Sequence, residues 1–143
     1  MNVKPTAGAA SIALLLLLAG CGGPRPQLLD ATQQALAAVR SDQLTFRLLD
    51  QRRLPAATAD VVLQDMTDEL TAAEKATAQV AASSDIDRRD RDDVLKAIRA
   101  AVSAALSSEY CLDRAAVCTR AGQELASVAE QLDALVASLE AGR

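Results

Sequence analysis

The sequence lacks histidine and tryptophan, and Phe46 and Tyr110 are its only aromatic residues. Without histidine, it has no Ser–His or Cys–His catalytic couple and no histidine metal ligand. Without more aromatic rings, it has no stacking platform for sugars or nucleobases. Its net charge of -4, from 15 basic and 19 acidic side chains, excludes the strongly basic surface that holds nucleic acid. These absences argue against catalysis and against nucleic-acid binding.

The N-terminal residues carry an apolar run, from Ala7 to Leu18, that includes five consecutive leucines. Lys4 is the only charged side chain before this run. A helix needs about 20 apolar residues to cross a bilayer, and the run is clearly shorter. A positive charge, a short apolar core and small residues after it are typical of a secretory signal peptide. We therefore predict that residues 1–20 are a signal peptide that is removed.

The end of this run is Leu18-Ala19-Gly20-Cys21, which resembles the lipobox of bacterial lipoproteins position by position. The resemblance implies that the Cys21 thiol carries a diacylglycerol such as a palmitate-bearing one, and that cleavage leaves Cys21 as the first residue. Acyl chains anchor a protein because each buried methylene contributes about 0.8 kcal/mol. The implied location is the extracytoplasmic side of the cell membrane or of the outer membrane. The resemblance covers about the first 23 residues, and we recognise no family in the rest of the chain.

The mature chain contains few residues that break helices. Between Pro26 and Ala141 there is one proline, Pro55, and one glycine, Gly122. Alanine, leucine, glutamine, glutamate and arginine, which favour helix, are abundant there. We predict a flexible tether over 21–27 and an all-α domain over 28–141, with helices at about 28–52, 58–82, 85–110 and 118–141. The stretch Leu44–Leu48 alternates like a strand, but no second strand is available to pair with it, so we prefer helix.

Apolar residues recur every three or four positions in all four segments, which predicts a core face on each helix. We also expect Thr58 to cap the second helix, Ser84 and Asp87 to form a capping box on the third, and Gly142 to end the fourth. The predicted core positions are Leu29, Leu36, Val39, Phe46 and Leu49; Val62, Met66, Leu70, Ala73 and Val80; Leu95, Ile98, Val102, Ala105 and Leu106; and Cys118, Ala121, Leu125, Val128, Leu132, Leu135 and Leu139.

Four helices of similar length with short connections favour an antiparallel up-down-up-down four-helix bundle. Large apolar residues are scarce in the mature chain, so alanines must allow the helices to approach closely. The regular apolar repeat of the fourth helix supports an alternative, a long helical hairpin that completes its core as a coiled-coil oligomer.

Cys111 and Cys118 are the two thiols that remain if Cys21 is lipidated. Outside the cytoplasm such thiols tend to oxidise. On one continuous helix their Cα atoms would lie about 10.5 Å apart, whereas a disulfide requires about 4.4 to 6.8 Å. Either the helix breaks between the two cysteines or they are not bonded to each other. We predict a disulfide in the turn between the third and fourth helices; two reduced core cysteines are the alternative.

Two segments of the sequence are rich in charged residues and are candidates for binding sites. Residues 85–93 resemble a calcium loop at first sight, but Arg89 and Lys96 stand where an EF-hand needs ligands. We predict a solvated helix face there, with ion pairs Asp87–Arg91, Arg88–Asp92, Arg89–Asp93 and Asp92–Lys96, and no metal site. We also expect cross-helix pairing between a basic cluster and an acidic run, namely Arg47, Arg52 and Arg53 with Asp60, Asp65, Asp68 and Glu69.

These features predict a lipid-anchored, non-catalytic helical module of the bacterial envelope that needs no cofactor. It would act by binding another envelope protein or by a structural role, with the membrane as its second contact through the lipid. The alternatives are a carrier of a small apolar ligand and a self-assembling coiled-coil spacer, which would be a homo-oligomer. The sequence identifies no partner-binding residues.

Overall fold

The computed structural model describes residues 23–110 and 115–142, and for 115–118 it describes the backbone alone. Four helices account for nearly all of these residues: α1 (Pro24–Asp50), α2 (Ala56–Gln79), α3 (Asp85–Glu109) and α4 (Ala115–Ala141). The all-α prediction is confirmed, and Leu44–Leu48 is helical. None of the described helices is both long enough and apolar enough to cross a membrane.

Helix α1 begins earlier than the sequence suggested. The predicted tether over 21–27 is too long, because Pro24 is already the first residue of the helix. Proline is well suited to a first helical position, since its missing N–H would have no partner there and its φ angle already fits. Three residues, Cys21 to Gly23, therefore separate the predicted lipid from the helix.

The helices pack as an antiparallel up-down-up-down four-helix bundle, in which each helix contacts the next and α1 also contacts α4. Of the two diagonals, α1 and α3 come into contact, whereas the described parts of α2 and α4 do not. Small side chains make the α1–α3 approach possible. They are Ala31, Ala35 and Ala38 on α1 and Ala97, Ala101, Ala104 and Ala105 on α3, all buried.

The largest fully buried side chains include Leu28, Leu63, Leu70, Ile98, Leu125 and Leu132. On α4 the predicted apolar repeat is confirmed, with Leu135 half-buried and the other described positions buried. This repeat is covered by the chain's own helices, so the coiled-coil hairpin is not the observed architecture.

The predicted core faces of α2 and α3 are confirmed in part, since the buried positions include Leu70, Ala73, Val80, Ile98 and Ala105. Leu63 and Val94 are fully buried, while the predicted Val62 and Leu95 are half-buried and Leu106 is 42% exposed. Four of the seven buried residues of α3 are alanines, namely Ala97, Ala101, Ala104 and Ala105.

Threonines complete the core at positions that a hydropathy pattern treats as polar. Thr32, Thr45, Thr67 and Thr77 are buried, and each hydroxyl lies 2.6 to 3.0 Å from the carbonyl oxygen four residues earlier. Because that carbonyl accepts the hydroxyl proton, the side chain can be buried without leaving a donor unpaired.

The helix ends only partly follow the predictions. The capping box on α3 is confirmed: Asp87 N–H donates to Ser84 Oγ over 3.1 Å, and Ser84 N–H donates to the Asp87 carboxylate over 3.0 Å. Thr58 as the cap of α2 is wrong, because Pro55 occupies that position and its carbonyl accepts from the N–H groups of Thr58 and Ala59. Gly142 has no positive φ, so it is not a left-handed C-cap.

The predicted surface ion pairs do not form among the described side chains. Arg88 instead pairs with Asp85, and Asp87 accepts from Ser83 and Ser84 at the cap. Arg47, Arg52 and Arg53 make no ion pair with the acidic run of α2 in the described structure, where Glu69 accepts from Gln34. Exposed ion pairs contribute little free energy, so sequence spacing alone does not select them.

Candidate functional site

The bundle has two ends with different properties. The near end consists of 23–33, 77–91 and 139–142 and contains the start of α1, which follows the predicted anchor. The far end consists of 42–67, 104–110 and 119–125, about 40 Å away by the length of α1.

Asp42 occupies a core position at the far end. It lies three residues after Val39 and three before Thr45, so the helical period places it on the same face as these buried residues. Its side chain is 0% exposed. Both carboxylate oxygens are buried without a hydrogen-bond partner in the described structure. A buried carboxyl group without donors is strongly disfavoured in its charged form.

A second carboxylate lies close to Asp42 across the diagonal contact. Glu109 is the last residue of α3, and its Oε1 lies 2.6 Å from the hydroxyl of Thr67 on α2. The Thr67 hydroxyl also lies 3.0 Å from Leu63 O, and its one proton serves one of these acceptors at a time. Nearby hydroxyls do not reach Asp42: Thr45 donates to Ser41 O and Ser108 to Ala105 O. We call Asp42, Thr45, Thr67, Ser108 and Glu109 the polar cluster.

The surroundings of Asp42 favour its neutral form. Burial, and to a smaller extent the negative charge of Glu109, together raise the pKa of Asp42 from 3.8 to about 7. The group can therefore hold or release a proton near neutral pH. Since the side chain is enclosed, a solute has no access to it in this conformation.

Sequence reasoning missed Asp42, although a signal was present. The residue stands three positions after Val39 and four before Phe46, which are two residues of the predicted core face of α1. An aspartate within that spacing indicates a buried charge, whereas our prediction followed the apolar positions alone.

The near end contains an open cleft of about 370 Å³. Its lining residues are Arg25, Pro26, Leu29, Asp30, Gln33, Leu139 and Gly142. The Arg25 guanidinium donates to Gly142 O over 2.6 Å and pairs with Asp90 over 3.2 Å, which ties the start of α1 to α3 and to the end of α4. A Cβ atom on residue 142 would overlap this guanidinium, so glycine provides room for Arg25 there.

Exposed apolar side chains concentrate at the opposite end. Among the described residues five large apolar side chains are exposed, and four of them belong to the far end: Leu44, Val61, Leu106 and Tyr110. Tyr110 is the most exposed of the five, at 80%. The fifth, Ile86, lies at the near end and is 64% exposed. The far end thus combines polar side chains inside the bundle with apolar side chains on its surface.

The predicted site residues fall largely outside this description. Cys21 and Cys111 lie outside the described residues, and Cys118 lies in the first turns of α4 without a described side chain. α3 ends at Glu109, before Cys111, and the described part of α4 begins at Ala115. The disulfide between Cys111 and Cys118 stays a prediction. The described residues contain no group of three or more potential metal ligands.

Comparisons of the chain with protein-family models, with curated proteins and with solved structures give no match. The function has to be argued from the sequence signals and from the geometry of the two ends.

Proposed function

We propose that this protein is a lipid-anchored, non-catalytic helical module of the bacterial envelope that binds another protein through the far end of its bundle. The observation that carries the proposal is the placement of Leu44, Val61, Leu106 and Tyr110 at the end remote from the predicted anchor. Exposed aromatic and aliphatic side chains are frequent anchors of protein–protein contacts.

The anchor supports the same orientation. The lipobox-like Leu18-Ala19-Gly20-Cys21 predicts a lipid on Cys21, and α1 begins at Pro24. A tether of three residues reaches about 10 Å at full extension, so the near end would stay beside the bilayer. The far end is then the part of the molecule most accessible to a partner.

The anchor is tested by substituting the lipidated residue. Full-length protein with Cys21→Ala is expressed in a bacterial host, and membrane and soluble fractions are compared with wild type. We expect the wild type in the membrane fraction and the variant in the soluble fraction. A Cys118→Ala variant is the control, because it removes a thiol without removing the anchor. Membrane association that survives Cys21→Ala would contradict the proposal.

Binding by the far end is tested by co-purification from detergent-solubilised membranes. Proteins recovered with the wild type are quantified against those recovered with Leu44→Ser/Tyr110→Ser. The matched control is Ile86→Ser, which removes an exposed apolar side chain from the near end. We expect at least a tenfold loss of one envelope protein with the double variant and none with the control. Equal recovery from all three proteins would contradict the proposal.

A second candidate function is supported by the cleft at the near end. Its volume of about 370 Å³ lies at the lower end of the range for small-molecule sites, and Pro26, Leu29 and Leu139 supply apolar lining. A carrier of a small apolar ligand would use this cleft. Native mass spectrometry of the purified protein separates the two functions, since a carrier retains a bound small molecule and Leu29→Arg abolishes that retention.

A further inference from the structure

The polar cluster contains side chains of three helices at the far end, and its Thr67–Glu109 hydrogen bond joins α2 to α3. Asp42 is on α1, Thr67 is on α2, and Glu109 is on α3. The Asp42 side chain is fully enclosed, and no described group donates a hydrogen bond to it. The charge that acts on it is that of a second carboxylate, Glu109. Two carboxylates close together cannot both be ionised at low cost in a buried setting.

We propose that Asp42 and Glu109 form a proton-dependent latch, in which a proton on the pair keeps the far end of the bundle closed and loss of that proton opens it locally. In the closed state Asp42 is neutral and stays in the core. When the proton leaves for solvent, the carboxylate requires water, and the last turns of α1 and α3 separate to admit it. The latch itself requires no partner; only its use to regulate docking rests on the proposed function.

The other described charged groups at this end do not neutralise Asp42. On α2, Asp60, Asp65 and Asp68 are exposed and carry the same sign of charge. On α4, Arg120 lies 3.9 Å from Glu124, and Asp133 pairs with Arg40 of α1 over 2.8 Å. On α1 itself, Arg47 is exposed. Among the described side chains, none provides Asp42 with a counter-ion or a hydrogen bond.

The composition helps to distinguish the titration of Asp42 from that of other side chains. The sequence contains no histidine, the side chain that ordinarily titrates between pH 5 and 8. Ordinary carboxyl groups finish titrating below this interval, and lysine and tyrosine begin above it. A change in the structure or dynamics of the bundle between pH 5 and 7.5 that is absent from Asp42→Asn therefore points to this carboxyl group.

The test is amide hydrogen exchange of the mature protein at several pH values from 5 to 8, corrected for the intrinsic pH dependence of exchange. An opening that releases one proton becomes about tenfold more favourable per pH unit below the pKa of the closed state, and levels off above it. We expect exchange protection in 42–50 and 104–109 to fall by roughly ten- to a hundredfold between pH 5 and 8. Protection in 28–36 at the near end should stay constant.

Two variants separate the latch from general instability. Asp42→Asn keeps the shape of the side chain and removes its titration, so its exchange at the far end should be independent of pH. Glu109→Gln removes the neighbouring charge and keeps an acceptor for Thr67, so the loss of protection should level off at a lower pH and be smaller in total. Circular dichroism confirms that each variant is folded.

A titration of the wild-type protein by NMR tests the proposal directly, even where a variant fails to fold. In wild-type protein the ¹³Cγ shift of Asp42 should titrate near pH 7. A far end whose exchange does not vary with pH, or an Asp42 that titrates like an exposed aspartate, would overturn the proposal. These experiments use no partner, so their failure leaves the docking proposal standing, and failure of docking leaves the latch standing.

Discussion

Asp42 is the residue at which this bundle departs most from an apolar core. Its enclosure has a direct consequence for stability, because the folded state holds a proton that the unfolded chain releases. The pKa of Asp42 is about 7 in the fold, against an ordinary value of 3.8. Between these two values the folded state binds more protons than the unfolded state, so the free energy of unfolding falls as pH rises from about 4 to 7.

Substitution of Asp42 by asparagine tests the direction of this pH dependence of stability. At pH 8 the wild type carries a buried charge and Asp42→Asn does not, so the variant should be more stable, by at most about 4 kcal/mol. At pH 5 the advantage should be smaller by up to about 2 to 3 kcal/mol, because Asp42 is then neutral in the fold and only the unfolded chain still releases its proton. Urea denaturation at the two pH values measures the difference. A variant that is no more stable than wild type at pH 8 would show that the burial is not costly.

Arg52 is a second residue whose conformation in the fold costs free energy. Its φ of 54° lies in the left-handed region, at the end of α1. Arg53 N–H donates to Leu48 O and Arg52 N–H to Leu49 O, which is the Schellman arrangement that usually carries glycine at this position.

Glycine at position 52 should therefore stabilise the protein. We expect Arg52→Gly to raise the free energy of unfolding by about 0.5 to 1 kcal/mol, since glycine adopts positive φ without steric cost. Arg52→Ala is the control, because it removes the same side chain and keeps the strained conformation. If the alanine variant gained as much as the glycine variant, backbone strain would not be the reason.

At the scale of elements, the fold was predictable where apolar periodicity acts alone. The repeat of α4 gave the correct core face because large apolar residues fill it without interruption. Periodicity was less informative for α2 and α3. Their faces include Thr67, Thr77 and a row of alanines, which a pattern of large apolar residues does not mark. Asp42 was missed for the same reason, since the prediction followed the large apolar residues and left out the aspartate that lies on the same face.

Helix capping provides a matched pair of element-scale substitutions. Ser84 caps α3 and accepts from Asp87 N–H, whereas Thr58 lies exposed inside the first turn of α2. We expect Ser84→Ala to destabilise the protein by about 1 kcal/mol and Thr58→Ala to change stability by less than about 0.5 kcal/mol. Urea denaturation of both variants at pH 7 gives the comparison.

The pH dependence of the Ser84 variant adds a second check. Hydrogen bonds from Ser84 and Ser83 lower the pKa of Asp87, so this cap stabilises the fold above the ordinary aspartate range and weakens as pH falls through it. The difference between wild type and Ser84→Ala should therefore shrink in acid. A larger effect from Thr58→Ala than from Ser84→Ala would mean that the helix starts are assigned to the wrong residues.

At the scale of the whole molecule, the bundle is polarised along its axis. The near end is tied together by Arg25, through Asp90 and Gly142, and directly follows the predicted anchor. The far end has a titratable interior and exposed apolar side chains. Of these properties, only the position of the near end beside the predicted anchor could be predicted from the sequence, through the lipobox-like motif. The properties of the far end depend on which helices lie diagonally opposite each other in the bundle, and side-chain packing determines that arrangement.

The most direct test of the account is site-specific photo-crosslinking in intact cells of the native host. A photoreactive amino acid is placed at position 110 or at position 86 of the full-length protein, both exposed and at opposite ends of the bundle. The account predicts a discrete crosslinked protein adduct from position 110 and none of that mass from position 86. An adduct from position 86 alone, or the same adduct from both positions, would contradict docking by the far end.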